Sequence, residues 1–244
     1  MEPTAETKFI DRIREYIRDK KYISFDELKK YLEKYGEINE DTLKKTLLRL
    51  KNAGNIYDAG KGYYSTIDNT VELNGESIEK VKSHIKEKYP FLDFYLWGTE
   101  QIRYAFQHLI TKPIVFVYSD KDALSSIKNT LSELGFNVYE NPTTELELSK
   151  YVNISGETII LRPAISRVEM KDHQISIETI LVDLYLESER LGIIDRAEYQ
   201  RVFDYFLNSF RLDIGYLHKY ADRRGVRDKI RKYFEMSIIA KSRP

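Results

Sequence analysis

The sequence contains no cysteine. Disulfide bonds, thiolate nucleophiles and zinc sites built on sulfur are therefore excluded, and residence inside the cell is favoured. An excess of charge of one sign is also missing, because 39 Lys and Arg residues are balanced by 39 Asp and Glu residues. Since a neutral chain is not drawn as a whole onto nucleic acid or a membrane, any nucleic-acid surface must be local.

Long apolar runs are also missing. No stretch approaches the roughly 18 consecutive apolar residues of a membrane span, and residues 1–6 lack the basic region and apolar core of a secretory signal. We therefore expect a cytoplasmic protein without membrane association. A length of 244 residues and a hydrophobic content of 42% predict one large or two modest domains with a buried core.

Motifs for cofactors and metals are lacking as well. Gly60-Lys61-Gly62 does not have the spacing of a P-loop or a dinucleotide-binding loop, and the needs of a hairpin turn explain it. The histidines are scattered along the chain without metal-binding spacing: His84, His108, His173 and His218. The sequence therefore predicts no cofactor, no metal and no catalytic residues, and we do not expect an enzyme.

What is present near the N-terminus is a pair of well-capped helices. Ser24 is a candidate N-cap with Glu27 three residues later, which predicts a helix starting at about Ser24. Asn39 is a second candidate cap and predicts a helix from about Glu40 to Ala53, which Gly54 would end.

A hairpin is predicted directly after the second of these helices. Residues 55–65 have the pattern of strand, turn and strand, with the turn at 60–62. An amphipathic helix over 7–20 is predicted ahead of the capped pair. Residues 1–68 are therefore predicted to form a winged helix-turn-helix domain, with the hairpin as its wing.

The third helix has two faces of different character. Leu43, Leu47 and Leu50 share one stripe, and polar or basic side chains point the other way. Arginine can bind guanine and asparagine can bind adenine, whereas lysine mainly contacts phosphate. The predicted DNA-binding residues are Thr42, Lys44, Lys45, Arg49, Lys51 and Asn52 on the helix and Lys61 on the wing. Two alternatives stay open, namely ordinary solvated charges and a winged domain that docks another protein.

A second domain is predicted over 71–244, of α/β (or α+β) class with a helical C-terminal region. Its strands are expected at 93–97, 113–118, 136–139 and 158–161. A helix between the second and third of these predicts a β-α-β unit with parallel strands. The helices expected besides it lie at 77–88, 100–109, 144–151, 177–188, 197–210, 214–224 and 226–236.

One short string in this domain is compatible with an enzyme. Glu169-Met170-Lys171 has the acid-x-lysine spacing of some metal-dependent nucleases, with Asp120 or Glu147 as a possible second carboxylate. A nuclease or other nucleic-acid-processing enzyme is therefore an alternative function. Glu178 and Asp183 are five residues apart, which is not an i,i+4 pairing, and we expect cap and surface roles for them.

The most basic part of the chain is 219–232. It predicts a possible second basic surface for phosphate or an acidic partner, with a solvated helix pair as the alternative. The basic residues of this surface are Lys219, Arg223, Arg224, Arg227, Lys229, Arg231 and Lys232.

Several segments in a fixed order also resemble a known family. They are the winged segment ending Gly62-Tyr63-Tyr64, Tyr89-Pro90 leading to Trp97-Gly98-Thr99 and His108, the helix 177–184, and the segment 220–225. In order and spacing these are similar to the AbiEi family, the antitoxin and transcriptional regulator of abortive-infection, type IV toxin-antitoxin systems.

The resemblance implies a function for each domain. The winged domain would bind inverted repeats in double-stranded DNA at the operon's own promoter. The second domain would counter a nucleotidyltransferase toxin without forming a stable complex with it. We therefore expect a sequence-specific DNA-binding regulator that takes part in phage defence.

Overall fold

The computed structural model describes residues 5–107, 113–144, 157–165 and 168–239. The chain divides into two compact units, and the first division falls between Val71 and Glu72. The first unit contains 1–71, 204–222 and 226–244, and the second contains 72–203 and 223–225. Within the described ranges, every helix is too short or too polar to cross a bilayer.

The N-terminal part of the first unit is a winged helix, as predicted. Its described elements are α1 (Ala5–Ile17), β1 (Tyr22–Ser24), α2 (Phe25–Glu33), α3 (Glu40–Asn52), β2 (Tyr57–Asp58) and β3 (Tyr63–Ser65). The strands form an antiparallel sheet in the order β1-β3-β2. The hairpin was predicted, whereas β1, which pairs with its second strand, was not.

The two predicted helix caps are present. The Ser24 hydroxyl accepts a hydrogen bond from the Glu27 amide at 3.4 Å. The Asn39 side chain accepts bonds from the amides of Asp41 at 3.0 Å and Thr42 at 3.1 Å. These acceptors satisfy amide groups that have no partner within the first turn of a helix. Local sequence therefore determines where α2 and α3 begin.

One apolar cluster holds the three helices against the hairpin. Helices α1, α2 and α3 each supply a buried stripe, and β1 and the loop before β2 add one isoleucine each. Burying such side chains is the main favourable term for a small domain. The cluster consists of Ile13, Ile17, Ile23, Leu28, Leu32, Leu43, Leu47, Leu50 and Ile56.

The C-terminal helices α8 (Ile214–Arg223) and α9 (Arg227–Ile239) lie mainly in the first unit. The Tyr22 hydroxyl donates to the Phe210 carbonyl at 2.7 Å and accepts from the Leu212 amide at 2.9 Å. The Ile214 amide donates to the Ala59 carbonyl at 2.8 Å. The sequence prediction grouped these helices with 71–244. The spacing of apolar residues within a helix does not show that it contacts residues nearly 200 positions away.

The second unit is built around a mixed sheet. Its described strands are β4 (Phe94–Gly98), β5 (Ile114–Ser119), β6 (Asn137–Glu140), β7 (Thr158–Pro163), β8 (Met170–Lys171) and β9 (Gln174–Ile175). Their order is β6-β7-β5-β4-β9-β8. The helices are α4 (Glu76–Lys88), α5 (Leu124–Glu133), α6 (Ile177–Leu191) and α7 (Arg196–Ser209), whose residues from Asp204 onward belong to the first unit.

The two strands of the predicted β-α-β unit are parallel, as expected, but they do not pair with each other. Strands β5 and β6 both run parallel to β7, which lies between them, and β4 runs antiparallel to β5. Five consecutive residues of β7, from Thr158 to Arg162, are buried, as expected for a strand covered on both faces. The α/β class is therefore correct, although periodicity alone does not give strand order.

Within the described residues, two helices predicted in this unit are not observed as such. The helix expected over 100–109 is a 3₁₀ segment at Thr99–Ala105 in the structure. The helix expected over 144–151 falls almost wholly outside the described residues.

Candidate functional site

The outward face of α3 carries the predicted DNA-binding residues. Opposite the buried leucine stripe, Thr42, Lys44, Lys45, Arg49 and Asn52 are exposed. Lys51 is half-buried at the edge of this face. The helix therefore presents basic and amide groups to solvent along about three turns.

Leu48 lies on the same face and was missed by sequence reasoning. Its side chain is 55% exposed, although leucines elsewhere on α3 are buried. At 100° per residue it falls between Lys44 and Asn52, so helical spacing alone could have predicted that Leu48 belongs to the outward face. An exposed apolar side chain among donors suits the methyl group of thymine in a major groove.

Acidic neighbours offset part of the charge on this surface. The Glu40 carboxylate lies 3.2 Å from the Lys44 ammonium and 3.6 Å from that of Lys29. The hydrogen bond from Lys44 lowers the pKa of Glu40 most, and the charges of both lysines add to this. Lys51 pairs with Asp58 on the wing. Across the described ranges Lys45 forms no ion pair, which leaves its ammonium available to a phosphate.

The wing is fixed against α8. Gly60 has a φ of +88°, and a Cβ atom at this position would lie 1.8 Å from the Asp213 carboxylate and 2.7 Å from the Gly215 amide nitrogen. Position 60 therefore has no room for a side chain. Lys61 is exposed at the tip of the wing, as predicted.

The predicted second basic surface is wrong at one position. Arg224 is only 2% exposed at its side chain, and its Nη1 donates to Asp183 Oδ1 at 2.6 Å. The surface role expected for Asp183 is wrong too, because that carboxylate is fully buried, and Glu178 is also buried. The other six basic residues are exposed: Lys219, Arg223, Arg227, Lys229, Arg231 and Lys232.

Two of those exposed arginines have acidic partners. Arg231 lies 2.8 Å from Glu235, and Arg227 lies 3.8 Å from Asp222. Such solvent-exposed pairs hold side chains weakly. Apart from Arg224, the second basic surface therefore stays a prediction.

The second unit contains a pocket that sequence reasoning missed. Tyr118 and Arg162 come from the carboxyl ends of the parallel strands β5 and β7, and Asn141 directly follows the end of β6. The cavity has a volume of about 310 Å³. We call it the arginine pocket, and its lining consists of Tyr118, Asn141, Pro142, Thr143, Arg162, Pro163, Ile165, Arg190 and Arg224.

Arg162 is held by several acceptors around this cavity. Its Nε donates to both Glu187 carboxylate oxygens at 3.1 Å, and Nη2 lies 2.5 Å from Oε2. Its Nη1 donates to Asn141 Oδ1 at 3.1 Å and to the Pro142 carbonyl at 2.5 Å. Arg190 reaches the same Glu187 carboxylate at 3.3 Å.

Two buried carboxylates on α6 therefore face the arginines. Asp183 and Glu187 are one helical turn apart, and neither side chain is exposed. Buried charges are costly unless they are paired, and each carboxylate has an arginine partner. One feature of the sequence indicated a buried ion pair here. Asp183 lies within an apolar run, where an acidic residue requires a partner.

The Tyr118 hydroxyl is a further polar group in the pocket wall. Tyr118 is 1% exposed, and its oxygen finds no hydrogen-bond partner in the described part of the chain. Burial raises the pKa of Tyr118 well above its ordinary value, and the Asp183 and Glu187 charges add to the effect. The hydroxyl is therefore protonated at neutral pH and can donate a hydrogen bond.

The residues of the nuclease alternative lie elsewhere in this unit. Lys171 lies in β8, the edge strand of the sheet, and Glu169 directly precedes that strand. Both are exposed, and Glu147 lies outside the described residues. The described ranges contain no group of three His, Cys, Asp or Glu side chains arranged to hold a metal ion.

The fold thus defines a winged-helix protein with an additional α/β unit. A model of a family of unknown function, DUF6577, matches residues 42–240, and the chain belongs to that family. No curated protein and no solved structure matches the chain. The resemblance to the AbiEi family stays a prediction.

Proposed function

We propose that the protein is a sequence-specific DNA-binding transcriptional regulator that acts as the antitoxin of a type IV abortive-infection system. The observation that supports DNA binding is the outward face of α3, where basic and amide side chains surround Leu48 on a winged helix. A helix of this kind fits the major groove and meets base edges with its exposed side chains.

Each exposed side chain has a role in this proposal. Arg49 binds the edge of a guanine, Asn52 binds an adenine, and Leu48 contacts a thymine methyl group. Lys45 neutralises a phosphate, while Lys44 must first loosen its pairing with Glu40. The turn of the wing packs on α8. The contribution of the wing is therefore a single contact, from Lys61 to a backbone phosphate.

The antitoxin part of the proposal rests on the resemblance. It places the operator as inverted repeats in the promoter of the protein's own operon. It gives the second unit the task of countering a nucleotidyltransferase toxin without a stable complex, in the cytoplasm. The chain then acts by binding rather than by catalysis.

The test is a titration of the full chain on DNA from upstream of its own gene and on random DNA of equal length. Arg49→Ala should lose discrimination between the two by about tenfold or more, because a bidentate base contact contributes roughly 1–3 kcal/mol. Lys45→Ala should weaken both complexes alike and reduce the dependence on salt, since it removes one phosphate contact.

Lys8→Ala is the matched control, because Lys8 is an exposed lysine on α1. Its affinity and selectivity should equal those of the wild type. Equal binding of upstream and random DNA by the wild-type protein would sink the regulator proposal. Unchanged selectivity in Arg49→Ala would remove α3 as the reading helix.

A further inference from the structure

The arginine pocket lies where sheets of this class usually bind ligands. Tyr118 and Arg162 come from the carboxyl ends of neighbouring parallel strands, and Asn141 follows the end of the third. In open α/β sheets, the crevice outside these strand ends is the common ligand site. Its volume of about 310 Å³ is at the small end of the range for ligand pockets.

The charge of the pocket favours an anion. Three guanidinium groups, those of Arg162, Arg190 and Arg224, face the two carboxylates of Asp183 and Glu187. This leaves one excess positive charge among these five residues. Arg190 shares Glu187 with Arg162 and is 41% exposed, so it is the arginine most able to turn towards a ligand.

The donors around the cavity fit a phosphoryl group. A guanidinium group binds phosphate oxygens in a forked geometry, and the bonds are strengthened by charge. Arg162 already donates from Nε, twice from Nη1 and once from Nη2 to protein acceptors, so Arg190 is the arginine that would supply the fork. Tyr118 lines the cavity, and its buried hydroxyl has no protein partner within the described ranges, so a ligand oxygen that reached it would satisfy it. Because Glu187, Asn141 and the Pro142 carbonyl hold Arg162, the site is organised before a ligand arrives.

Apart from Thr143, the rest of the wall is apolar. Pro142, Pro163 and Ile165 line the pocket beside the arginines, and Ile165 is 58% exposed. Such a surface suits the organic part of a small ligand whose phosphate lies against the arginines. From this combination we propose that the second unit binds a small phosphate monoester in the arginine pocket. This site is separate from α3, so it stands or falls independently of DNA binding.

Titration calorimetry on the full chain tests the proposal. The probes are inorganic phosphate, adenosine monophosphate and ribose 5-phosphate, with acetate as a non-phosphate anion. At least one of the two esters should bind saturably and more tightly than inorganic phosphate or acetate. Tighter binding of inorganic phosphate would overturn the ester assignment, and equal binding of acetate would overturn selectivity for phosphate.

Two variants place the binding in the pocket. Tyr118→Phe should reduce ester affinity about tenfold, because it removes a hydrogen bond to a charged group. Its unfolding temperature without ligand should not fall, since the hydroxyl has no described partner to lose. Arg190→Gln should reduce the affinity further while folding normally, because its side chain is partly exposed.

Arg196→Gln is the matched control for charge. Arg196 pairs with Glu189, its side chain is 79% exposed, and it does not line the pocket. This variant should bind the ester as the wild type does. Absence of saturable binding by the wild type, or wild-type affinity in both Tyr118→Phe and Arg190→Gln, would overturn the proposal.

Discussion

The carboxyl group of Asp172 has an unusually low pKa. It lies in the turn between β8 and β9 with a φ of 47°. Its carboxylate accepts hydrogen bonds from Lys82 Nζ at 2.7 Å and Lys86 Nζ at 3.0 Å, which lower its pKa to about 2. Burial alone would lower the pKa of Lys82, but its bonds to Asp172 and Glu79 raise it.

These shifts predict how the second unit responds to acid. A carboxyl group with a lower pKa in the folded state stabilises the protein above its ordinary value of 3.8, and this stability is lost as the pH falls towards about 2. Asp172→Asn should therefore unfold at a lower temperature near neutral pH and lose less stability across that acid range. The expected cost is at most about 1 kcal/mol, because the carboxylate is half exposed.

The measurement is thermal unfolding by circular dichroism at a series of pH values. Asparagine tolerates a positive φ, so the turn should survive the change. Asp122→Asn is the control, since Asp122 is exposed and no lysine of the described ranges pairs with it. A wild-type pH profile in Asp172→Asn would contradict the account.

At the scale of helices and strands, the elements that the sequence predicts well are those with local causes. Ser24 and Asn39 cap α2 and α3 through amides two or three residues away, so the cap and the helix are visible together. The wing follows because Gly60 and Gly62 supply the positive φ of its turn. The exposed face of α3 was also predicted, because it follows from the local spacing of the leucines along the helix.

The features that were missed depend on distant partners. Strand β7 itself was predicted, but its place between β5 and β6 is decided by pairing across the sheet. The arginine pocket needs Arg162, Glu187 and Arg224 from three separate parts of the chain. Buried acids within an apolar helix did indicate that partners exist, but no spacing in the sequence says which arginines they are.

The contact between the wing and α8 predicts different effects for two neighbouring glycines. Both Gly60 and Gly62 have a positive φ, but a Cβ atom at Gly62 would meet nothing within 4 Å. Gly62→Ala should therefore cost only the backbone strain, about 1–2 kcal/mol. Gly60→Ala should cost roughly 1–3 kcal/mol more, because its Cβ atom would collide with Asp213 and the Gly215 backbone.

Denaturant unfolding of the two variants separates strain from packing. Each is the control for the other, since the substitution and the sign of φ are the same. If both variants lost equal stability, the wing would not be anchored on α8. DNA affinity measured on Gly60→Ala would then report how far a displaced wing matters to the proposed complex.

At the scale of the whole molecule, the first unit is discontinuous in sequence. The winged helix near the N-terminus is completed by residues 204–222 and by α9. Tyr22 illustrates the dependence, because its hydroxyl bonds Phe210 and Leu212 and its ring lies 6.1 Å from that of Phe234. The helix proposed to bind DNA therefore shares one folded unit with the end of the chain.

This arrangement predicts that residues 1–71 alone form a weakened winged helix. The apolar cluster of α1, α2 and α3 lies wholly within that fragment, so the helices should form. Without the C-terminal helices, however, the Tyr22 hydroxyl and the Ala59 carbonyl lose their partners Phe210, Leu212 and Ile214. Three lost hydrogen bonds correspond to about 3 kcal/mol, before any exposure of apolar surface is counted.

Amide hydrogen exchange at α3 measures this loss within the same helix in both proteins. The buried residues Leu43, Leu47 and Leu50 should exchange at least about a hundredfold faster in the fragment than in the full chain, since exchange through opening reports the local free energy. Tyr22→Phe in the full chain should give a smaller increase, because it removes the hydroxyl and keeps the ring contact. Equal protection in the fragment and the full chain would show that the winged helix is stable without its C-terminal partners.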